Sequence, residues 1–133
     1  MRKTLALFCT IIFFLFTGGC GHPTQLTSMS INPTGVTFTE AVPGMTAQLT
    51  AYGTFIHPAE TRDISNRVTW SSSISDIATV DANGKVTTVG LACGVTTITA
   101  TAKSDLVGAG GSGSIMTATS TIDVKLVGVP DCP

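Results

Sequence analysis

Cysteine thiols are the side chains of this sequence whose number and placement could support chemistry. There are four, Cys9, Cys20, Cys93 and Cys132, and no two of them are close in sequence. A nucleophilic cysteine needs a base held nearby, but His22 and His57 stand at no motif spacing from Cys93. A zinc site needs three or four suitably spaced ligands, which this pattern lacks. We therefore predict no catalytic residue, no metal site, no cofactor and no enzyme activity.

The N-terminal residues have the order of an export signal. Arg2 and Lys3 are basic, residues 4–17 are uncharged and mostly apolar, and Gly18 and Gly19 lead to Cys20. The apolar run is shorter than the roughly 20 residues that a membrane-spanning helix requires. A basic, apolar and then small-residue order is typical of a cleavable signal peptide, which we assign to residues 1–19.

The Gly18-Gly19-Cys20 ending resembles the lipobox of bacterial lipoproteins. The resemblance implies cleavage before Cys20, acylation of Cys20, and a membrane anchor followed by a tether over residues 20–25. It also implies the bacterial envelope as the location, and we expect the outer membrane or cell surface. Thr17 stands where the family prefers an aliphatic residue, so an ordinary secretory signal is the alternative.

Period-two alternation dominates the rest of the chain. In 46–55, for example, Leu49 and Ala51 alternate with Thr50 and Tyr52. Alternation of this kind predicts half-buried strands, and Asn83-Gly84 predicts a hairpin turn. The predicted strands are 26–31, 36–39, 46–55, 67–72, 77–80, 85–89, 95–103 and 116–127. After residue 19 the net charge is about −3 with no basic cluster, so we expect no nucleic-acid partner.

Three segments together resemble the bacterial immunoglobulin-like domain of group 2. They read QLTAYGTF, DISNRVTWSSS and IATVDANGKVTTVGLACGVTTITAT. The resemblance implies an all-β, immunoglobulin-like sandwich of two antiparallel sheets over residues 26–128, followed by a tail at 129–133. It also implies a structural or adhesive module that engages a protein or glycan partner at the cell surface. The glycine-rich SDLVGAGGSGSIM before the last strand departs from the family pattern.

Trp70, the only tryptophan, is expected in the core of such a sandwich. We expect it to face inward with Val68, opposite Ala78 and Val80 of a neighbouring hairpin. Ile98 and Ala100 are expected in the facing sheet.

Under that topology the last strand returns to the end of the domain at which Cys93 lies. Cys132 follows after a short tail, so we predict a Cys93–Cys132 disulfide, which would contribute about 4 kcal/mol in the chain-entropy model. Lipidation of Cys20 then leaves an even number of thiols, as expected for an exported chain. Without the lipid, Cys20 would be an odd thiol, available to a disulfide-linked partner.

The remaining polar candidates for ligand contacts are weak. The stretch 57–63 gathers His57, Glu60 and Asp63 in a predicted loop that could hold a calcium ion or a polar ligand, or simply connect two strands in solvent. Tyr52 lies on the polar phase of its strand and is the best aromatic platform for a sugar. A glycan-binding module is therefore the alternative function.

Overall fold

The computed structural model describes residues 24–105 and 113–129. Within them the chain forms ten strands and one short 3-10 turn, Ser65–Arg67. The strands are β1 (Gln25–Asn32), β2 (Gly35–Ala41), β3 (Thr46–Gln48), β4 (Thr50–Ile56), β5 (Glu60–Asp63), β6 (Thr69–Ser72), β7 (Ala78–Val80), β8 (Lys85–Thr88), β9 (Gly94–Lys103) and β10 (Ile115–Leu126). The predicted all-β, immunoglobulin-like sandwich is confirmed.

The strands hydrogen-bond in three groups rather than in two antiparallel sheets. Their orders are β1-β4-β5, β3-β8-β7 and β2-β10-β9-β6. Only Leu49 separates β3 from β4, so the first two groups share one continuous run of chain. All pairs are antiparallel except β2 with β10, which run parallel. The parallel pair is a second difference from the predicted antiparallel sheets.

The apolar residues of the alternating segments are buried in the core, as predicted from the sequence. Leu49, Ala51, Ile98, Ala100 and Val124 are fully buried. They belong to one cluster between the layers, with Leu26, Ile31, Phe38, Ala41, Phe55, Ile64, Ile77, Ala78, Val86, Ala102 and Ile122. Burial of apolar surface is the main favourable term in folding, so this cluster holds the layers together.

Trp70 packs against this core, but its neighbours differ from the prediction. It pairs with Ala100 across β6 and β9, so Ile98 and Ala100 lie in the same sheet as Trp70 and not in the facing one. Its indole Nε1 donates to the carbonyl oxygen of Ser65 at 2.8 Å. That bond ties β6 to the 3-10 turn and satisfies the one polar atom of the ring.

Two predicted segments were wrong in detail. Residues 46–55, predicted as one strand, form β3 and β4 with different partners. Residues 60–63, predicted as part of a loop, form the edge strand β5 against β4. The hairpin at Asn83-Gly84 is confirmed, although only Gly84 of that pair has a positive φ, 81°.

The sandwich has two ends, called here the proximal pole and the distal pole. At the proximal pole, β1 and β10 begin and β9 ends: Leu26 N donates to Ser104 O at 2.9 Å, and Ser104 N donates to Ser114 O at 2.9 Å. At the distal pole, β2 and β10 end where β9 begins, because Leu126 pairs with Ala41 and Val124 pairs with Gly94.

Candidate binding surface

The β4–β5 hairpin brings together two of the four predicted ligand-contact residues. Tyr52 and Asp63 are cross-strand partners, and directly opposite residues share a face of the sheet. Tyr52 is half-buried rather than an open platform, whereas Asp63 is exposed. The pair therefore combines a partly accessible aromatic ring with a solvated carboxylate.

His57 and Glu60 lie apart from that pair, at the other end of the hairpin. His57 is exposed in the β4–β5 turn with φ at 61°, and its carbonyl oxygen accepts a hydrogen bond from the Thr24 hydroxyl at 2.9 Å. Glu60 forms an ion pair with Arg62 at 2.9 Å, and the Arg62 guanidinium lies 4.2 Å from the centre of the Phe55 ring. These contacts lie at the proximal end of the hairpin, whereas Tyr52 and Asp63 lie at its other end, so the four residues do not form one site.

Asp63 also lines an open depression of about 360 Å³. The other lining residues are Ser65, Asn66 and Asn83. Asp63, Ser65 and Asn66 come from the end of β5 and the 3-10 turn, whereas Asn83 comes from the β7–β8 hairpin. From the sequence, Asn83 is predicted only as a turn residue, because no pattern in the sequence indicates that this hairpin meets the 3-10 turn.

Hydrogen bonds within two turns fix the rim of the depression. Ser65 N donates to Asp63 Oδ1 at 2.8 Å, and Ala51 N donates to Ser65 Oγ at 2.9 Å. Asp81 Oδ1 accepts from the backbone N–H groups of Asn83 and Lys85 at 2.8 and 3.0 Å. These are the turn contacts that Asp makes with backbone donors shortly after it in sequence.

Both turn carboxylates are stabilised in their charged form. The Ser65 hydroxyl and then its backbone N–H lower the pKa of Asp63 below its usual 3.8. The backbone N–H groups of Lys85 and Asn83 lower the pKa of Asp81 below the same value. Hydrogen bonds to a carboxylate favour its charged form. The depression thus presents a carboxylate, a hydroxyl and two amides, groups suited to hydroxylated ligands.

The cysteines assigned to modification lie mainly outside the described residues. Cys20 and Cys132 lie outside the described residues, and so do residues 1–19 of the predicted signal peptide. Cys93 immediately precedes β9 at the distal pole, next to the end of β10. It is not a free thiol.

Residues 24–105 and 113–129 contain no group of three or more His, Cys, Asp or Glu side chains that could hold a metal ion. In the same part of the chain, no helix is long and apolar enough to cross a membrane.

The strand order and the shared core define an immunoglobulin-like β-sandwich. The chain belongs to the bacterial Ig-like domain (group 2) family, which it matches over residues 25–109. Domains of this family are generally non-enzymatic structural, interaction or adhesion modules, typically of surface or extracellular proteins. A search of curated proteins found no significant match. The matched range ends before β10, yet β10 joins β9 to β2 in the four-stranded group.

Proposed function

We propose that this chain is a lipid-anchored protein of the bacterial envelope, held on a membrane through Cys20. Its single immunoglobulin-like domain serves as a structural or adhesive protein-interaction module at the outer membrane or cell surface. The observation that carries the proposal is the position of the family domain, which begins at residue 25, five residues after the cysteine of the lipobox-like Gly18-Gly19-Cys20.

The short distance between Cys20 and the domain supports an anchoring role. Thr24 already contacts the domain through its bond to His57. Four residue steps at full extension span at most about 14 Å, so an acylated Cys20 would hold the proximal pole close to the bilayer. Each buried methylene of an acyl chain contributes about 0.8 kcal/mol, and more than one chain is needed for stable anchoring.

A Cys93–Cys132 disulfide is part of the same proposal. Val124 lies opposite Gly94, so the chain leaves β10 beside Cys93. The six residues after Leu126 are enough for Cys132 to return to Cys93. The bond would hold the C-terminal tail at the distal pole.

Intact mass spectrometry of the protein extracted from membranes tests anchor and disulfide together. We expect a chain that begins at residue 20, carries acyl chains there, and gains two hydrogens on reduction. Cys20→Ser should abolish acylation and move the protein to the soluble fraction, whereas Cys93→Ser should abolish only the gain on reduction. An unacylated wild-type chain beginning elsewhere would contradict the anchor.

Binding of a cell-surface glycan is the second candidate function. The observation that favours it is the polar depression of Asp63, Ser65, Asn66 and Asn83, whose Asp63 is the cross-strand partner of Tyr52. A glycan array should show a ligand whose binding is lost in Tyr52→Ala and Asp63→Asn but kept in the exposed control Thr79→Ala. Absence of binding, or equal binding by all variants, would exclude this function.

A further inference from the structure

Exposed apolar side chains concentrate at the distal pole. Seven large hydrophobic residues are exposed in the described part of the chain, and six of them lie at this end. The six, called here the distal apolar patch, are Val42, Ile74, Leu91, Val95, Val127 and Val129. The seventh, Ile115, lies at the proximal pole and is 71% exposed.

The fold assembles the patch from segments distant in sequence. Val42 follows the end of β2, and Val127 and Val129 follow the end of β10. A side chain at Gly90 would meet Pro43, so the loop that bears Leu91 packs beside Val42. Ile74 joins them because its backbone N–H donates to Thr96 Oγ1 at the start of β9, at 3.0 Å.

The patch is large enough to form the centre of a protein interface. Its members are 44% to 77% exposed, with Leu91 the most exposed. Six such side chains present on the order of 500 Å², the size range of the largest patches on monomers, which are often functional. A standard interface buries about 800 Å² per partner with an apolar centre and a polar rim.

The rim of the patch is acidic. Glu40, Asp76 and Asp123 lie around it, whereas Lys125 is the one basic residue there among the described residues, 3.8 Å from Asp123 Oδ2. Asp123 pairs with Val95 of the patch. Its Oδ1 is the single buried side-chain oxygen or nitrogen of the described residues that lacks a hydrogen-bond partner.

The acidic rim favours some partners of the patch over others. A second copy of the chain would bring acidic rims together, and a bilayer of anionic lipids would meet the same repulsion. A basic partner side chain would instead be attracted to this rim, whose acidic residues outnumber its basic ones. We propose that the distal apolar patch binds a protein segment with apolar side chains and a Lys or Arg that pairs with the acidic rim, through the accessible Oδ2 of Asp123 or the exposed carboxylates of Glu40 and Asp76.

The inference deepens the proposed function and rests on it only for orientation. The 12 residues of β10 run from the proximal to the distal pole, a length of about 40 Å. With Cys20 anchored at the proximal pole, an upright domain would present the patch away from the membrane, where a partner protein can reach it.

A random 12-mer peptide library displayed on phage tests the proposal. The full mature protein in nanodiscs is the target, with empty nanodiscs for counter-selection. We expect enriched peptides with apolar residues around a Lys or Arg. The affinity of a synthesised peptide should fall at least tenfold with Leu91→Asp and with the combined Glu40→Gln, Asp76→Asn and Asp123→Asn variant. It should be unchanged by the matched control Ile115→Asp.

Several results would overturn the proposal. These are no enrichment, enriched acidic peptides, and equal peptide affinity of Leu91→Asp and the wild type. A concentration-dependent dimer lost in Leu91→Asp would assign the patch to a second copy, and binding to empty phosphatidylglycerol vesicles would assign it to a bilayer. If mass spectrometry finds no acylation, the same selection on the soluble secreted chain still tests the patch, so the two proposals fail separately.

Discussion

Gly84 shows at the residue scale how one position can fix the contact between two layers. Its φ is +81°, and a Cβ there would lie 2.5 Å from Leu49 O and 2.8 Å from Trp70 Cζ2. Gly44 has a similar φ, +89°, but open space around it. We expect Gly44→Ala to lower the free energy of unfolding by about 1–2 kcal/mol, the cost of the left-handed conformation alone.

We expect Gly84→Ala to cost about 2–4 kcal/mol, because overpacking adds to the same backbone strain. Urea unfolding of both variants measures the difference. Equal losses would show that Leu49 and Trp70 move aside without cost.

Thr88 is a buried polar residue with a defined structural role. Its hydroxyl donates to Val42 O at 2.7 Å and accepts from Met45 N at 3.0 Å, so it holds the β2–β3 turn. Thr88→Val keeps the shape of the side chain but leaves a carbonyl and an N–H without this partner. We expect a loss of about 2 kcal/mol. Exposed Thr79→Val should change stability by about 0.5 kcal/mol or less, and an equal effect of the two would contradict this role.

At the scale of elements, the turns that contain Asp63 and Asp81 make the free energy of unfolding depend on pH in the acid range. The pKa values of Asp63 and Asp81 are lower in the folded chain than the usual 3.8. The stability that the two ionised carboxylates contribute to the fold is therefore complete well above pH 3.8. It is lost as the pH falls through 3.8 and below. Both groups are solvent-exposed, so we expect a small effect.

Thermal unfolding from pH 7 to pH 3 measures this dependence. The decrease in Tm should be smaller in Asp81→Asn and Asp63→Asn, because the amide oxygen still accepts hydrogen bonds but does not titrate. Asp76→Asn, which removes a carboxylate with no hydrogen bond to the described residues, is the control. Unchanged acid dependence in both turn variants would contradict the assignment.

The pairing of β3, β4 and β5 shows which elements could not be predicted from the sequence. Alternation through Ala47, Leu49 and Ala51 is unbroken where β3 gives way to β4, so the change of partner strand leaves no trace in the pattern. Leu49 N donates to Gly84 O, a contact set by the hairpin and not by local preference. β5 has four polar residues and no apolar phase; it forms because β4 offers an edge.

The candidate site follows from these same elements. Trp70 and the cores of β9 and β10 were predictable because their burial repeats every second residue. The Tyr52–Asp63 pair depends on β5, and the depression depends on Asn83 of a separate hairpin, so neither could be predicted from spacing. The distal apolar patch joins six residues from different segments, and only the strand order brings these together.

At the scale of the whole molecule, β10 determines whether the domain closes. Residues 113–129 lie beyond the family match, but β10 pairs along ten residues with β9 and also with β2. Its Ile122 and Val124 are fully buried. Without β10, the β2 edge has no partner strand and the core lacks these two buried side chains.

A chain ending at residue 109 should therefore be unfolded, although it contains the whole matched range. A chain ending at Val129 should fold and should lack only what the proposed disulfide contributes. Circular dichroism and thermal unfolding distinguish the two. Cooperative unfolding of the shorter chain would show that β1 to β9 form a stable unit by themselves. We expect the shorter chain to fail because it lacks the pairing of β10 with β2 and β9 and the burial of Ile122 and Val124.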